Sequence, residues 1–107
     1  MKHLQLNEII ISLKAWFSQY YQEDLHQLIL YGSQARGDAE KYSDIDILIV
    51  LKRAFNYRQE LNNTSDLICD LSLQYDTVIS RAFISQESFE KDNTPFLLNI
   101  RREGITL

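Results

Sequence analysis

Two aspartates, Asp44 and Asp46, are separated by a single residue at the start of a segment with the pattern of a β-strand. In a strand, residues two apart point to the same face, with Cα atoms about 6.5 Å apart. Carboxylates this close repel each other, and desolvating them is costly unless a cation neutralises their charge. Mg²⁺ suits the pair because it takes oxygen ligands, retains some waters and bridges carboxylates to phosphates. The alternative is that Ser43 and Asp44 form a turn and that both acids are simply solvated.

A second group of residues, Gly32, Ser33 and Arg36, could bind phosphate. Gly32 and Ser33 follow an apolar segment and open a turn or a short helix. Backbone N–H groups in such a turn bind phosphate oxygens, and glycine lets the backbone approach them closely. The Ser33 hydroxyl adds a donor, and the Arg36 guanidinium could reach the same anion. The alternative is an ordinary turn between a strand and a helix.

A third carboxylate, Asp76, stands at the predicted start of another strand. If that strand lies beside the one carrying Asp44 and Asp46, all three acids could face one another. Such a trio could complete a two-metal site and accept a proton from an attacking hydroxyl. Asp66 and Asp70 are alternatives for this role. They stand four residues apart on a predicted helix, where exposed charges need no function, so Asp76 is preferred.

Three strands and three helices are predicted around these residues. Apolar runs and alternation predict strands at 27–31, 44–51 and 76–84. A 3.6-residue period predicts helices at 7–21 and 55–73, and Thr94, Pro95 and Gly104 bound a third. A short helical turn fits within 33–39. The side chains expected inside are Leu6, Ile9, Ile10, Leu13, Phe17, Tyr20, Tyr57, Leu61, Ile68, Leu71, Val78, Ile79, Ala82 and Phe83.

The order α-β-β-α-β-α predicts an α/β (α+β) fold, a small mixed β-sheet flanked by helices. With 107 residues the chain is long enough for one domain, 1–107. Eleven Lys and Arg against fifteen acids give a net charge of −4, so direct nucleic-acid binding is not expected. The single cysteine, Cys69, is expected to be an inert core thiol in a reducing compartment. No apolar run approaches the ~20 residues that span a bilayer, and no leader pattern is visible, so we expect a cytoplasmic protein without membrane contact.

These motifs together resemble the signature of the DNA polymerase beta-like nucleotidyltransferase superfamily. Gly32-Ser33 is followed after ten residues by Asp44-Ile45-Asp46, and each motif lies at a strand boundary. The stretches 30–37, LYGSQARG, and 43–50, SDIDILIV, look like the minimal nucleotidyltransferase (MNT) branch of that superfamily. The resemblance is strongest over 28–51 and extends to 76–80. It implies the nucleotidyltransferase fold, with ATP as substrate and AMP transferred to a hydroxyl.

The resemblance also implies roles for individual residues. Gly32 and Ser33 would hold the β- and γ-phosphates, with Arg36 balancing phosphate charge. Two Mg²⁺ ions would be held by Asp44 and Asp46. As a third ligand, Asp76 would also help to deprotonate the acceptor hydroxyl.

A partner protein is implied as well. Few residues follow the third strand, so we expect another chain to bind or present the acceptor. Proteins of the MNT branch commonly pair with a HEPN-domain toxin in a toxin–antitoxin hetero-oligomer and transfer AMP to a toxin tyrosine. Two alternatives remain. One is an antitoxin that neutralises its partner by binding without catalysis, and the other is a nucleotidyltransferase for a small molecule or a nucleic acid.

Overall fold

The computed structural model of the chain describes residues 5–37 and 44–107. Within these ranges the predicted α/β class is confirmed. The helices are α1 (Leu6–Tyr21), α2 (Ser33–Arg36), α3 (Tyr57–Gln74), α4 (Gln86–Lys91) and α5 (Pro95–Glu103), with a 3₁₀ turn at Gln22–Asp24. The strands are β1 (Leu25–Tyr31), β2 (Ile45–Leu51), β3 (Ile79–Ser85) and β4 (Ile105–Thr106). None of the helices in these ranges is long and apolar enough to cross a membrane.

The sheet has the strand order β3-β2-β1-β4, so β2 lies between two neighbours. β1 is antiparallel to both β2 and β4, whereas β2 and β3 are parallel. A parallel pair needs a crossover connection, and α3 supplies it between β2 and β3. The expected mixed sheet is therefore present, and the start of β2 lies at the same edge as the start of β3.

Both faces of β2 are covered, which explains its nearly continuous apolar sequence. On one face, Ile45, Ile47 and Ile49 pack in the main core with residues of α1 and α3. On the other face, Leu48 and Val50 pack with Ile29 and with Ile100 of α5. The Asp46 side chain alternates onto this second face, with Leu48 and Val50, so it lies on the α5 side of the sheet.

Some predicted core positions are wrong, for local geometric reasons. The buried stripe of α1 ends on Tyr21, while Tyr20 is 47% exposed and stacks on Trp16 with ring centroids 4.7 Å apart. Tyr57, at the first turn of α3, and Val78, one residue before β3, are also exposed. Cys69 lies on the exposed side of α3, so the prediction of a core thiol is wrong.

The structure differs from the prediction on both sides of β3. The strand begins at Ile79 and not at Asp76, because Asp76 has a left-handed backbone, with φ of 48°. The Thr77 N–H bonds to the Ser72 carbonyl, and this turn closes α3. After the strand, the Ser85 hydroxyl accepts a hydrogen bond from the Ser88 N–H and starts α4, a helix that the sequence reading missed. β4 was also missed because it has only two residues.

A buried carboxylate at the far end of the sheet gives a stability prediction. The Tyr21 hydroxyl donates to Glu60 Oε1 at 2.7 Å, and Glu60 is only 4% exposed. Burial, followed by this hydrogen bond, raises the pKa of Tyr21. Tyr21→Phe should therefore lower the free energy of unfolding by about 1.5–3 kcal/mol, because a buried charge loses a hydrogen bond. Urea unfolding measures this loss of stability. As a control, Tyr20→Phe replaces an exposed neighbour and should change the free energy of unfolding little.

Candidate functional site

Strand register brings three side chains to the α5 face near the start of β2. In the antiparallel β1–β2 pair Asp46 lies opposite Tyr31, and in the parallel β2–β3 pair it lies opposite Ser80. Residues directly opposite each other in a sheet present their side chains on the same face. The carboxylate of Asp46 is therefore flanked by the last residue of β1 and by a hydroxyl side chain of β3. Neither neighbour was identified from the sequence, because their placement depends on register.

The Gly32 turn lies directly against Asp46. Gly32 has φ 75° and ψ −157°, a region that is essentially open to glycine alone. A Cβ added there would lie 2.5 Å from Asp46 Oδ2, so a side chain cannot be added without moving the carboxylate or the turn. The Gly32 carbonyl then accepts from the N–H groups of Ala35 and Arg36 and begins α2. The two sequence motifs, separated by ten residues, are thus in contact.

The two aspartates form an electrostatically coupled pair. Asp46 is partly buried, and Asp44, just before β2, is exposed. Burial, and secondly the charge of Asp44, raise the pKa of Asp46, while Arg36 opposes the shift. The site therefore favours a cation next to Asp46. The oxygen donors fit Mg²⁺, which is commonly held by one or two carboxylates together with water and substrate phosphates.

Arg36 connects this pair to the last helix. Its guanidinium Nη1 lies 3.2 Å from Oε2 of Glu103, at the end of α5, and both side chains are partly exposed. Its charge also acts on Asp46, as the direction of the pKa effect shows. Arg36, which is predicted to balance phosphate charge, is the last residue of the short helix that follows Gly32. Its ion pair with Glu103 could not be read from the sequence.

The structure does not bring Asp76 to the pair. Asp76 is exposed in the turn before β3. In the described ranges 5–37 and 44–107, no three His, Cys, Asp or Glu side chains lie together so that they could hold a metal ion. The three-acid cluster expected from the sequence is therefore not assembled here. The position of β3 that faces Asp46 carries Ser80, which has no carboxylate.

The alternative acids do not replace Asp76. Asp66 and Asp70 are exposed on α3. The buried apolar residues of α3, Ile68 and Leu71, belong to the core on the opposite face of the sheet from Asp46. These two acids are therefore surface charges of a covering helix.

Asp46 is expected to lower the stability of the metal-free protein, although the predicted metal site needs its carboxylate. In EDTA, Asp46→Asn should raise the free energy of unfolding at pH 7 by about 1 kcal/mol, or roughly 4 °C in Tm, because it removes a poorly solvated charge. A raised folded-state pKa means that the wild type loses stability as pH rises from the ordinary aspartate pKa through the raised one. The difference between the two proteins should therefore vanish at more acidic pH.

Adding Mg²⁺ provides the control for this prediction. The wild type should gain Tm with Mg²⁺, since a ligand of the folded state stabilises it, and the Asn variant should gain much less. Scanning calorimetry or a dye-based melt at several pH values measures both effects. A variant less stable than the wild type at pH 7 in EDTA would contradict the electrostatic account of Asp46.

Comparison with known proteins identifies the family of this site. The model of the family described as "Nucleotidyltransferase domain" matches residues 10–101. A Methanocaldococcus jannaschii protein named "putative protein adenylyltransferase" is 38% identical over 103 residues, which cover 95% of this chain and 93% of the relative. A second protein of that organism with the same description is 34% identical over 77 residues, 72% of this chain and 77% of the relative.

Solved structures agree with this fold. A structure described as a toxin–antitoxin with AMP-PNP superposes with a TM-score of 0.62 at 19% identity, over 96% of this chain and 72% of that chain. The complex of tri-AMPylated Shewanella oneidensis HEPN toxin with MNT antitoxin gives a TM-score of 0.51 at 17% identity, over 96% of this chain and 68% of that chain. At these identities the likeness concerns the fold. From the family match and the similarity to the first relative, the chain belongs to the nucleotidyltransferase domain family.

Proposed function

We propose that this protein transfers AMP from Mg-ATP to a hydroxyl group, that of a tyrosine, on a partner HEPN toxin and thereby acts as its antitoxin. The observation that carries the proposal is the contact between the Gly32 turn and the Asp46 carboxylate. A phosphate held at that turn would lie beside a carboxylate pair suited to Mg²⁺. The names of the relatives support protein adenylylation, and the HEPN complex among the structural neighbours supports the kind of partner.

In this proposal the turn binds the terminal phosphates. Backbone N–H groups after Gly32 and the Ser33 hydroxyl donate to the β- and γ-phosphate oxygens. Arg36 balances their charge, and its ion pair with Glu103 is partly exposed, so this pair contributes little that a phosphate would have to replace. A triphosphate carries more negative charge than one carboxylate, so it competes well for the guanidinium.

The carboxylate pair is proposed as the metal ligand set. Asp44 and Asp46 would hold two Mg²⁺ ions together with phosphate oxygens and water. When bound, the metal supplies charge neutralisation and polarises the phosphates. Burial and the charge of Asp44 raise the pKa of Asp46, so a cation bound beside this carboxylate would stabilise its ionised form.

The transfer step follows from these positions. The acceptor oxygen attacks the α-phosphorus of ATP, a new O–P bond forms, and the bond from phosphorus to the α–β bridging oxygen breaks. Pyrophosphate leaves, held by the Gly32 turn and Arg36. The acceptor hydroxyl gives its proton to water, because we assign no third carboxylate to the site.

Intact-mass spectrometry of the neighbouring HEPN-type protein tests this proposal. We expect a gain of whole AMP units on that protein after incubation with this chain and Mg-ATP, and no gain when EDTA replaces Mg²⁺. A stable complex without any gain in mass would contradict the catalytic proposal. That outcome would support the alternative of an antitoxin that acts by binding alone.

A further inference from the structure

A cavity of about 150 Å³ lies between the end of β1 and α5, next to the Gly32 turn. Gly32 and Arg36, which we assign to phosphate binding, also line this cavity. A nucleotide whose phosphates bind at the Gly32 turn could therefore extend into the cavity. Apolar cavities of about this volume bind a benzene ring in proteins, so the size suits one aromatic ring system with its remainder in the open mouth.

Part of the cavity wall is aromatic and apolar, whereas Arg36, Asn99 and Glu103 line it with polar groups. Tyr31 and Phe96 meet edge to face, with ring centroids 5.4 Å apart and planes at 89°, and Ile100 adds an aliphatic surface. Phe96 remains 43% exposed despite this contact. A base stacked on this ring would cover its exposed part. Stacking of a base on an aromatic side chain makes a large contribution to nucleotide binding.

One polar side chain with both a donor and an acceptor also lines the cavity. Asn99 lies on α5, and Arg102 Nη2 donates to its Oδ1 at 2.7 Å. This hydrogen bond restrains the carboxamide, while Oδ1 keeps a second lone pair and Nδ2 keeps its donors. A carboxamide is complementary to adenine, which offers an amino donor beside the N7 acceptor. Guanine offers two acceptors at the same edge and cannot pair with both groups of the amide.

We propose that this cavity is the base subsite of the nucleotide donor, where the purine stacks on Phe96 and Asn99 selects adenine over guanine. The inference rests on the proposed function, because the phosphates of the same nucleotide must occupy the Gly32 turn. The proposal gives α5 a role in nucleotide binding and selectivity, although this helix lies outside the sequence motifs.

Calorimetric titration of the full chain with three probes in Mg²⁺ tests this subsite. The probes are α,β-methylene ATP, α,β-methylene GTP and inorganic triphosphate, since the methylene bridge prevents loss of pyrophosphate. We expect the ATP analogue to bind more tightly than the GTP analogue and at least about tenfold more tightly than triphosphate. Phe96→Ala should weaken the ATP analogue between about 5-fold and 100-fold and leave triphosphate unchanged. Asn99→Ala should remove the preference for ATP over GTP.

The matched control is Leu98→Ala, at an exposed position of the same helix that does not line the cavity. It should leave all three affinities unchanged. Equal affinity for the ATP analogue and triphosphate, or an equal loss of both in Phe96→Ala, would overturn the base subsite while leaving the phosphate site in place. A Phe96 variant that weakens only binding of the protein acceptor would place the acceptor side chain in the cavity and also overturn it. If none of the probes binds, the proposed function fails first, and this inference fails with it.

Discussion

Replacing both carboxylates, Asp44→Asn with Asp46→Asn, should lower the rate of AMP transfer on the order of 1,000-fold or more. The reason is that metal-ion stabilisation of the transferring phosphates is worth several kcal/mol, and each 1.36 kcal/mol changes a rate tenfold. The variant should remain folded, because Asp46 is a partly buried carboxylate that burial and Asp44 make costly to ionise. Single-turnover transfer to the partner measures the rate, and circular dichroism and a thermal melt confirm the fold.

The chain offers matched controls for this variant. Asp66→Asn with Asp70→Asn removes two exposed charges from α3 and should leave the rate within about threefold of the wild type. Asp76→Asn separates the three-acid hypothesis from the two-acid site. We expect it to behave like the α3 variant, since Asp76 is exposed in the turn before β3. A loss in Asp76→Asn as large as in the double variant would contradict the two-acid site.

Gly32→Ala should lower transfer by at least about 100-fold while the domain still folds. A Cβ at Gly32 would lie 2.5 Å from Asp46 Oδ2, and the turn has a backbone conformation that alanine adopts only with strain of about 1–3 kcal/mol. The added atom must displace the carboxylate, the turn or both, and displacements near 1 Å at a reacting centre cost on the order of 100-fold in rate. Steady-state transfer and a denaturation curve on the same sample separate the two effects.

Gly37→Ala is the control, because this glycine also has a positive φ of 80° but its added Cβ meets no atom of the described ranges 5–37 and 44–107 within 4 Å. It should cost about 1 kcal/mol of stability from backbone strain and leave transfer nearly unchanged. If the two alanine variants lost the same activity, strain in the α2 segment would explain the loss, and the contact between Gly32 and Asp46 would not.

The parts of the site that the sequence predicts are those encoded within a few consecutive residues. The placement of Asp44 and Asp46 depends only on strand alternation, and Gly32 depends on the end of an apolar run. Ser80 and Tyr31 depend on which residues lie opposite Asp46, and register between strands separated by a helix is not visible locally. The strand predicted to open with Asp76 starts three residues later, at Ile79, so Asp76 lies in the preceding turn and its role as third ligand stays a prediction.

The errors in the core have a similar cause. A one-residue shift around a helix moves a side chain by about 100°, which is enough to exchange Tyr20 for Tyr21 as the last buried residue of α1. Cys69 stands in an apolar stretch, yet it lies between the buried positions Ile68 and Leu71 and faces solvent. Composition alone predicts burial of such a residue, whereas helix phase decides it.

ATP labelled in one phosphate at a time tests directly whether this chain transfers a nucleotidyl group to its partner. This chain is incubated with its HEPN-type partner, Mg²⁺ and ATP labelled at either the α- or the γ-phosphate. We expect the partner to take up the α label and the γ label to leave in pyrophosphate, and we expect the Asp44→Asn/Asp46→Asn variant to transfer neither. Uptake of the γ label, or no uptake of either label by a partner that binds this chain, would contradict nucleotidyl transfer at this site.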